Sequence, residues 1–360
     1  MKKFFFFLLV LVEINAYSGQ PPKNIIILIG DGMGVNYVSA SVLSIKNDPF
    51  RRFTVSGFSV TCSADKLVTE SAAGATAFAT GYRTNNLSIS IHPETKEPML
   101  TLFELAEKLN KATGIVVTCS ITHATPAAFV AHVEHRNMEF EIAKQITERK
   151  LDVVIGGGKR FFTPKSLGGD RADELNFISK IINNGYKYYD SYEKLKNNKP
   201  DNKFYALFET VGLPKASDRD YSLGDLTKIA LEYLSRDKDG FVLMVEGSQI
   251  DWAGHQNNQD YLLSEMEDFN TAINTVLDFV EKNGETLVLV TADHETGGMN
   301  ITDGDVDGCD IELKFLTKGH TADMVPIFAK GPGEEEFRGV MDNYMIGRKL
   351  FKLLDSSYQF

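Results

Sequence analysis

Three apolar runs, each followed closely by an acidic residue, constrain the fold of this chain more than any other feature. Residues 25–29, 241–245 and 287–291 consist almost entirely of Ile, Leu, Val, Met and Phe. Such unbroken apolar runs indicate strands buried on both faces, as in a parallel sheet covered by helices. An acid comes one or two residues after each run, namely Asp31, Glu246 and Asp293. Because the carboxyl ends of parallel strands meet at one edge of a sheet, the runs predict a ligand site there.

Strand-like and helical patterns alternate along the rest of the chain, which is typical of a layered α/β domain. We predict strands over residues 24–29, 58–61, 114–118, 153–155, 204–208, 240–245, 286–291 and 325–329. We predict helices over residues 35–46, 71–80, 102–109, 126–133, 138–148, 223–235, 262–282 and 338–354. The acids and histidines of interest come from both ends of the chain, and the sequence shows no repeat or linker. We therefore expect residues 19–360 to form a single domain.

Ser71 lies where an extended segment gives way to a run of small, helix-compatible residues. A hydroxyl at this point faces the positive end of a helix, where unpaired N–H groups favour an anion. The alternative is that Ser71 only caps the helix. Other segments favour a functional role, because Asp251 and His255 share one face of a helical turn and His294 directly follows Asp293. Carboxylates and imidazoles in this number indicate a dinuclear metal site.

Seven short motifs occur in the order found in the alkaline phosphatase family of metal-dependent phosphomonoesterases. They are residues 31–34, 68–73, 123–128, 245–247, 251 with 255, 291–298 and 319–321. The chain resembles that family from about residue 24 to its last helix. The resemblance implies a three-layer sandwich with a central, mostly parallel sheet, and hydrolysis of phosphate monoesters through a phosphoserine.

Each site residue of the family has a counterpart in this sequence. The resemblance implies one zinc ion bound by Asp251, His255 and His320, and a second bound by Asp31, Asp293 and His294. It implies a third cation, magnesium in most members, bound by Asp31, Thr125 and Glu246. Ser71 would be the nucleophile and Arg136 the phosphate-binding arginine. The residue types suit these ions, since zinc accepts imidazole and carboxylate while magnesium prefers oxygen.

Three positions depart from the pattern of many family members. Glu70 replaces the aspartate that usually precedes the nucleophile and helps to hold the arginine. His123 and Trp252 stand where well-known bacterial members have aspartate and lysine. One interpretation is that both only pack near the site; the other is that His123 lets the third site accept zinc or cobalt. We expect His132 and His135 to share a helix with Arg136 and to bind no metal.

The first residues of the chain resemble an export signal. A basic start and a short apolar core predict a signal peptide over residues 1–18 and a secreted or periplasmic enzyme; the alternative is a single membrane anchor. No later segment is apolar enough to span a bilayer. The net charge of −11 argues against nonspecific nucleic-acid binding, and we expect no specific nucleic-acid binding. A homodimer remains open.

The sequence contains three cysteines, Cys62, Cys119 and Cys309, which can form at most one disulfide. None of them has metal-ligand spacing in the sequence. We expect Cys62 and Cys119 to be buried thiols.

Two other functions compete with phosphomonoester hydrolysis. One is a diesterase or sulfatase of the same superfamily, and the other is a zinc-binding protein without activity.

Overall fold

The protein is described here by a computed structural model that covers residues 21–308 and 310–360. Its strands are β1 (Asn24–Gly30), β2 (Val55–Val60), β3 (Ala112–Ser120), β4 (Val153–Gly157), β5 (Lys187–Tyr189), β6 (Phe204–Leu207), β7 (Phe241–Gly247), β8 (Thr286–Thr291), β9 (Glu295–Thr296), β10 (Met299–Gly304), β11 (Ile311–Phe315), β12 (His320–Thr321), β13 (Val325–Lys330) and β14 (Gly339–Asp342). Its α-helices are α1 (Val35–Ser44), α2 (Ser71–Thr80), α3 (Leu102–Lys108), α4 (Ala124–Val130), α5 (Glu139–Glu148), α6 (Phe177–Asn183), α7 (Tyr192–Asn198), α8 (Leu223–Leu234), α9 (Gln249–Gln256), α10 (Gln259–Asn283) and α11 (Asn343–Leu354).

A ten-stranded sheet forms the middle layer, in the order β14-β2-β13-β8-β1-β7-β3-β4-β6-β5. Strand β13 runs antiparallel to both of its neighbours, and the other recorded pairs in this sheet are parallel. Side chains of successive strand residues point to opposite faces. Ile25, Ile27 and Ile29 accordingly pack in one core with α2, α4 and α11, whereas Ile26 and Leu28 pack in the other with α8 and α10. This arrangement confirms the predicted three-layer sandwich.

The helix predicted over residues 126–133 is shorter than expected, and it does not carry Arg136. Helix α4 ends at Val130, and Ala131 is already extended, with φ −137° and ψ 162°. Val133 then forms an isolated β-bridge with Ile89. The prediction that His132 and His135 share a helix with Arg136 was therefore wrong: all three lie on the segment after the helix. A pairing with a distant part of the chain ends the helix.

The last predicted helix also begins later than expected. Residues 339–342 form β14, a parallel edge strand beside β2, and α11 starts at Asn343. Gly339 has φ +85°, a left-handed conformation that favours glycine and turns the chain into the strand. Short elements were missed as well, among them the strands β5 and β9–β12 and the helices α6 and α7.

The termini and cysteines complete the fold description. The predicted signal peptide and Cys309 lie outside the described residues. Cys62 and Cys119 are free thiols; Cys119 is fully buried as expected, whereas Cys62 is only half-buried, so the expectation of a buried Cys62 was wrong. Among the helices that the structure describes, none is both long and apolar enough to cross a membrane.

Candidate metal centre and nucleophile

The three central strands bring their acidic residues to one edge of the sheet. Strand β1 pairs with β7 on one side and β8 on the other, so that Ile29 faces both Glu246 and Thr291. Asp31 follows β1 at once, and Asp293 comes two residues after β8. The three carboxylates are completely buried. The strand register alone therefore assembles a dense cluster of negative charge.

Ser71 is the first residue of α2, and Glu70 caps that helix. The Glu70 carboxylate accepts hydrogen bonds from Ala72 N (3.1 Å) and Ala73 N (3.0 Å). The Ser71 hydroxyl does not cap the helix; its Oγ lies 3.3 Å from His294 Nε2. Gly74 permits this approach of α2, because a Cβ there would lie 2.6 Å from the carbonyl oxygen of Asp293. The helix thus presents Ser71 to the acidic edge of the sheet.

The residues predicted for the first zinc converge on one point. His255 Nε2 lies 3.3 Å from Asp251 Oδ2, and His320 Nε2 lies 3.6 Å from Asp251 Oδ1. The two Nε2 atoms are 3.2 Å apart. Each ring faces a carbonyl oxygen through Nδ1, of Lys318 for His255 (2.6 Å) and of Thr69 for His320 (3.0 Å). Those carbonyls fix the proton on Nδ1, so a proton or a cation must lie between the Nε2 atoms and Asp251.

The residues predicted for the second zinc also meet. His294 Nε2 is 3.4 Å from Asp31 Oδ1 and 3.4 Å from Asp293 Oδ2. Neither oxygen of Asp31, nor Asp293 Oδ2, has a hydrogen-bond partner among the described residues. Buried carboxylate oxygens without partners are costly, and a bound cation would satisfy them. Rings of His294 and His320 stack with centroids 3.7 Å apart, so the two sets adjoin.

The third predicted set contains further buried oxygens without partners. Thr125 Oγ1 and Glu246 Oε1 make no hydrogen bond within the described part of the chain. Thr125 lies in the first turn of α4, and Glu246 lies near the end of β7. With Asp31, they offer a set of oxygen donors, which is the chemistry that magnesium prefers.

Burial and mutual repulsion shift the acid–base behaviour of the centre. Burial raises the pKa of Asp31 well above its usual range, and the charges of Asp293 and Asp251 raise it further. Burial likewise raises the pKa of Glu246 to about 7 and that of Asp293 to about 6. In the metal-free protein these acids therefore take up protons at a higher pH than ordinary carboxylates do. Divalent cations at the centre would reverse this effect.

The histidines respond differently according to their exposure. Burial lowers the pKa of His294 and of His320 to about 4. The hydrogen bond to Asp251 raises the pKa of half-exposed His255 to about 9. Burial opposes the ionisation of Asp251, but the hydrogen bond from His255 and the neighbouring imidazoles keep its pKa below its usual range. Metal binding would have to displace the proton that His255 and Asp251 share.

Arg136 reaches the centre from the loop after α4. Its Nη1 donates to Glu70 Oε2 (2.6 Å), and its Nη2 donates to His123 Nε2 (3.1 Å). Glu70 also accepts from Leu87 N (2.8 Å), so its longer side chain both caps α2 and holds the arginine. His123 is the N-cap residue of α4, and Trp252 stands edge-on to its ring, with centroids 6.3 Å apart.

The sequence analysis missed Thr296, which connects the two predicted zinc sets. Its hydroxyl donates to Asp251 Oδ1 and accepts from His294 Nδ1 (3.3 Å). The only sequence signal was a hydroxyl residue shortly after the Asp293–His294 pair. Gly32 is required at the same point: it has φ +69°, and a Cβ there would lie 2.6 Å from the Thr296 hydroxyl. Its N–H donates to Asp293 Oδ1 (3.2 Å).

Comparison with known proteins gives a consistent result. The alkaline phosphatase family model matches residues 22–311. Alkaline phosphatase 3 of Bacillus subtilis is 36% identical, with 92% of this chain and 89% of that protein covered. The alkaline phosphatase structure from the Antarctic bacterium TAB5 is 37% identical, covers 93% of this chain and 98% of its own, and superposes with a TM-score of 0.86. A histidine-to-aspartate variant of that enzyme has Mg bound in its M3 site (36% identity, 93% and 98% coverage, TM-score 0.85).

Proposed function

Since the chain belongs to the alkaline phosphatase family of phosphomonoesterases, we propose that it cleaves phosphate monoesters through a phosphoserine at Ser71. The observation that carries this proposal is the position of the Ser71 hydroxyl. It lies at the start of α2, 3.3 Å from His294 Nε2, beside two converging sets of metal-ligand side chains. Serine at its ordinary pKa is a weak nucleophile and needs such an activating environment.

The protein groups fit two zinc ions and a third cation. Asp251, His255 and His320 would hold one zinc, and Asp31, Asp293 and His294 the other. Asp31, Thr125 and Glu246 would hold the third cation. The partnerless oxygens of Asp31, Asp293, Thr125 and Glu246 support this assignment. When bound, such ions supply positive charge for the attacking and leaving oxygens.

The reaction divides into two displacements at phosphorus. The Ser71 hydroxyl gives its proton to solvent, and Oγ forms a bond to phosphorus while the bond to the alcohol oxygen breaks; the alcohol leaves with a proton from water. Water then attacks phosphorus, the Oγ–phosphorus bond breaks, and Ser71 regains its proton. The N–H groups of the first turn of α2 lie at the positive end of the helix, which favours the anionic phosphate.

Arg136 would bind the phosphate oxygens. A guanidinium group has five N–H donors, and Glu70 and His123 engage Nη1 and Nη2 with one contact each. The remaining donors can form a bidentate contact with phosphate. Glu70 thereby acts as a positioning residue for the clamp.

We propose magnesium as the third cation, with zinc or cobalt as alternatives because His123 stands beside the set. In the related TAB5 enzyme, Mg is bound in the M3 site in two variants in which a histidine has been replaced, one by aspartate and the other by glutamate. That observation supports a link between a histidine of the site and the choice of cation. Imidazole shifts the preference of a site from magnesium towards zinc and cobalt.

We also propose that residues 19–360 are one catalytic domain, that residues 1–18 direct export, and that the enzyme is secreted or periplasmic. The shared sheet of β1 and β14, near opposite ends of the chain, supports the single domain. We propose no partner beyond the small phosphate monoester; a homodimer stays an open alternative.

The decisive experiment compares hydrolysis of a chromogenic phosphate monoester with that of the matching diester and sulfate. We expect monoester hydrolysis that a chelator abolishes and that Ser71→Ala reduces by several orders of magnitude, while the variant still binds two zinc equivalents. Trapping of 32P-phosphate on the wild-type protein, but not on Ser71→Ala, would identify the intermediate. Faster turnover of the diester or the sulfate would contradict the proposal, as would a phosphoenzyme in the variant.

A further inference from the structure

A buried thiol lies within the third ligand set, where the sequence spacing gave no reason to expect one. Cys119 belongs to β3 and is completely buried. Its Sγ lies 3.4 Å from Glu246 Oε2. One ligand atom each from Cys119, His123 and Glu246 lies within 4.8 Å of the other two. Residues 119 and 246 meet because β3 and β7 are neighbours, with Val117 opposite Glu246.

The carboxylate of this cluster has one oxygen that no protein group satisfies. Glu246 Oε1 is buried and has no hydrogen-bond partner in the described part of the chain. His123 offers no free lone pair in this arrangement, because Arg136 Nη2 donates to its Nε2 and the neutral ring then carries its proton on Nδ1. The thiol has a single proton, and its sulfur lies near both Glu246 Oε2 and the carbonyl oxygen of Ser120 (3.1 Å). It can donate to only one of them. The Glu246 carboxylate therefore lacks a compensating positive charge.

We propose that Cys119 is a direct ligand of the third cation, in addition to the oxygen donors of Glu246, Asp31 and Thr125. This inference rests on the proposed third site and changes its chemistry. On binding, the Sγ–H bond breaks, the proton leaves to solvent, and the sulfur lone pair forms the bond to the cation. A thiolate beside carboxylate oxygens suits zinc or cobalt, whereas magnesium is poorly matched to thiolate. The third site is thus selective for a thiophilic cation.

The test uses cobalt absorption, which reports thiolate ligation independently of activity. The metal-stripped protein receives two zinc equivalents and is then titrated with cobalt. We expect a near-ultraviolet sulfur-to-cobalt charge-transfer band that saturates at one cobalt per chain. The Cys119→Ser variant should lose the band and bind cobalt at least about tenfold more weakly. The Cys62→Ser variant, which replaces a half-buried thiol, should retain both the band and the cobalt affinity.

A second variant covers the case in which Cys119→Ser does not fold. The chain has three cysteines, so the Cys62→Ser, Cys309→Ser double variant leaves Cys119 as the only thiol. A band in that protein assigns the ligand to Cys119 directly. If one cobalt binds and shows ligand-field bands without the charge-transfer band, the thiol merely donates to Glu246 and the inference is wrong, while the proposed function stands. If no third equivalent binds by equilibrium dialysis, the third site and the inference both fail.

Discussion

Replacement of Glu70 by glutamine tests whether one carboxylate both caps the nucleophile helix and holds the phosphate clamp. The side chain is largely buried and accepts four hydrogen bonds, from Ala72 N, Ala73 N, Leu87 N and Arg136 Nη1. Burial opposes its ionisation, but the charge of Arg136 and the three backbone donors hold the pKa of Glu70 below its usual range. Glutamine keeps the size of the side chain but turns one of its two acceptors into a donor.

The expected loss of stability follows from the donors that glutamine cannot serve. Each oxygen of Glu70 accepts hydrogen bonds from two donors. The NH2 group of glutamine would therefore face two N–H groups from which it cannot accept a hydrogen bond. Each buried donor left without a partner costs about 1–3 kcal/mol. The Leu87 N–H is only partly buried, which favours the lower half of that range. We therefore expect Glu70→Gln to lower the free energy of unfolding by about 2–4 kcal/mol.

The assay is urea unfolding at saturating zinc and magnesium, with inhibition by inorganic phosphate as a second measurement. Phosphate inhibition should weaken, because Arg136 loses the charged partner that positions it. Glu94→Gln is the matched control, since Glu94 lies on an exposed loop and should leave both measurements unchanged. A stability loss below about 0.5 kcal/mol, the size of an ordinary surface substitution, together with unchanged inhibition, would refute this account of Glu70.

The remaining predictions concern the clamp, the bridge between the metal sets and the effect of pH. Arg136→Lys keeps the positive charge but loses the planar guanidinium group that can bind two phosphate oxygens at once, so phosphate affinity should fall by about 1–3 kcal/mol in inhibition assays. Equal inhibition of the variant and the wild-type protein by phosphate would mean that the arginine is structural. Thr296→Val removes the hydroxyl that orients Asp251, so zinc affinity measured by competition with a chelator should fall about 10–100-fold, whereas the exposed Thr302→Val should have no effect. Because the pKa of His255 is raised from 6.5 to about 9, its contribution to the stability of the metal-free protein is complete below pH 6.5 and is lost as the pH rises through 9. Thermal unfolding in chelator should show this loss, and His255→Asn should remove it; an equal pH dependence in the variant would contradict the assignment.

The sequence predicts the centre of the fold well, because that part depends on local composition. Strand β8 and helix α2 begin and end where their patterns predict, since an apolar run between polar residues and a stretch of small residues after Glu70 are local signals. The carboxylates at the strand ends follow from the general geometry of parallel sheets. The resemblance to the family implies roles for these residues, and those roles stay predictions.

What the sequence could not predict depends on contacts between distant segments. The end of α4 is set by the pairing of Val133 with Ile89, so the segment carrying Arg136 looked helical. The edge strand β14 has only four residues and pairs with β2, far away in the chain. Cys119 was judged by its spacing to other ligands along the sequence. Its neighbour Glu246 is brought to it by the register of β3 and β7.

The charge of the centre connects substrate binding with stability. Asp31, Glu246, Asp251 and Asp293 are buried together in a chain of net charge −11, a setting that repels an anionic phosphate ester. Three divalent cations would carry more positive charge than these four carboxylates carry negative charge, and they would dominate the local field. The same ions would compensate the buried carboxylates, whose repulsion otherwise opposes folding. Metal removal should therefore lower stability and phosphate affinity together, whereas Ser71→Ala, which keeps every carboxylate, should abolish turnover and preserve both.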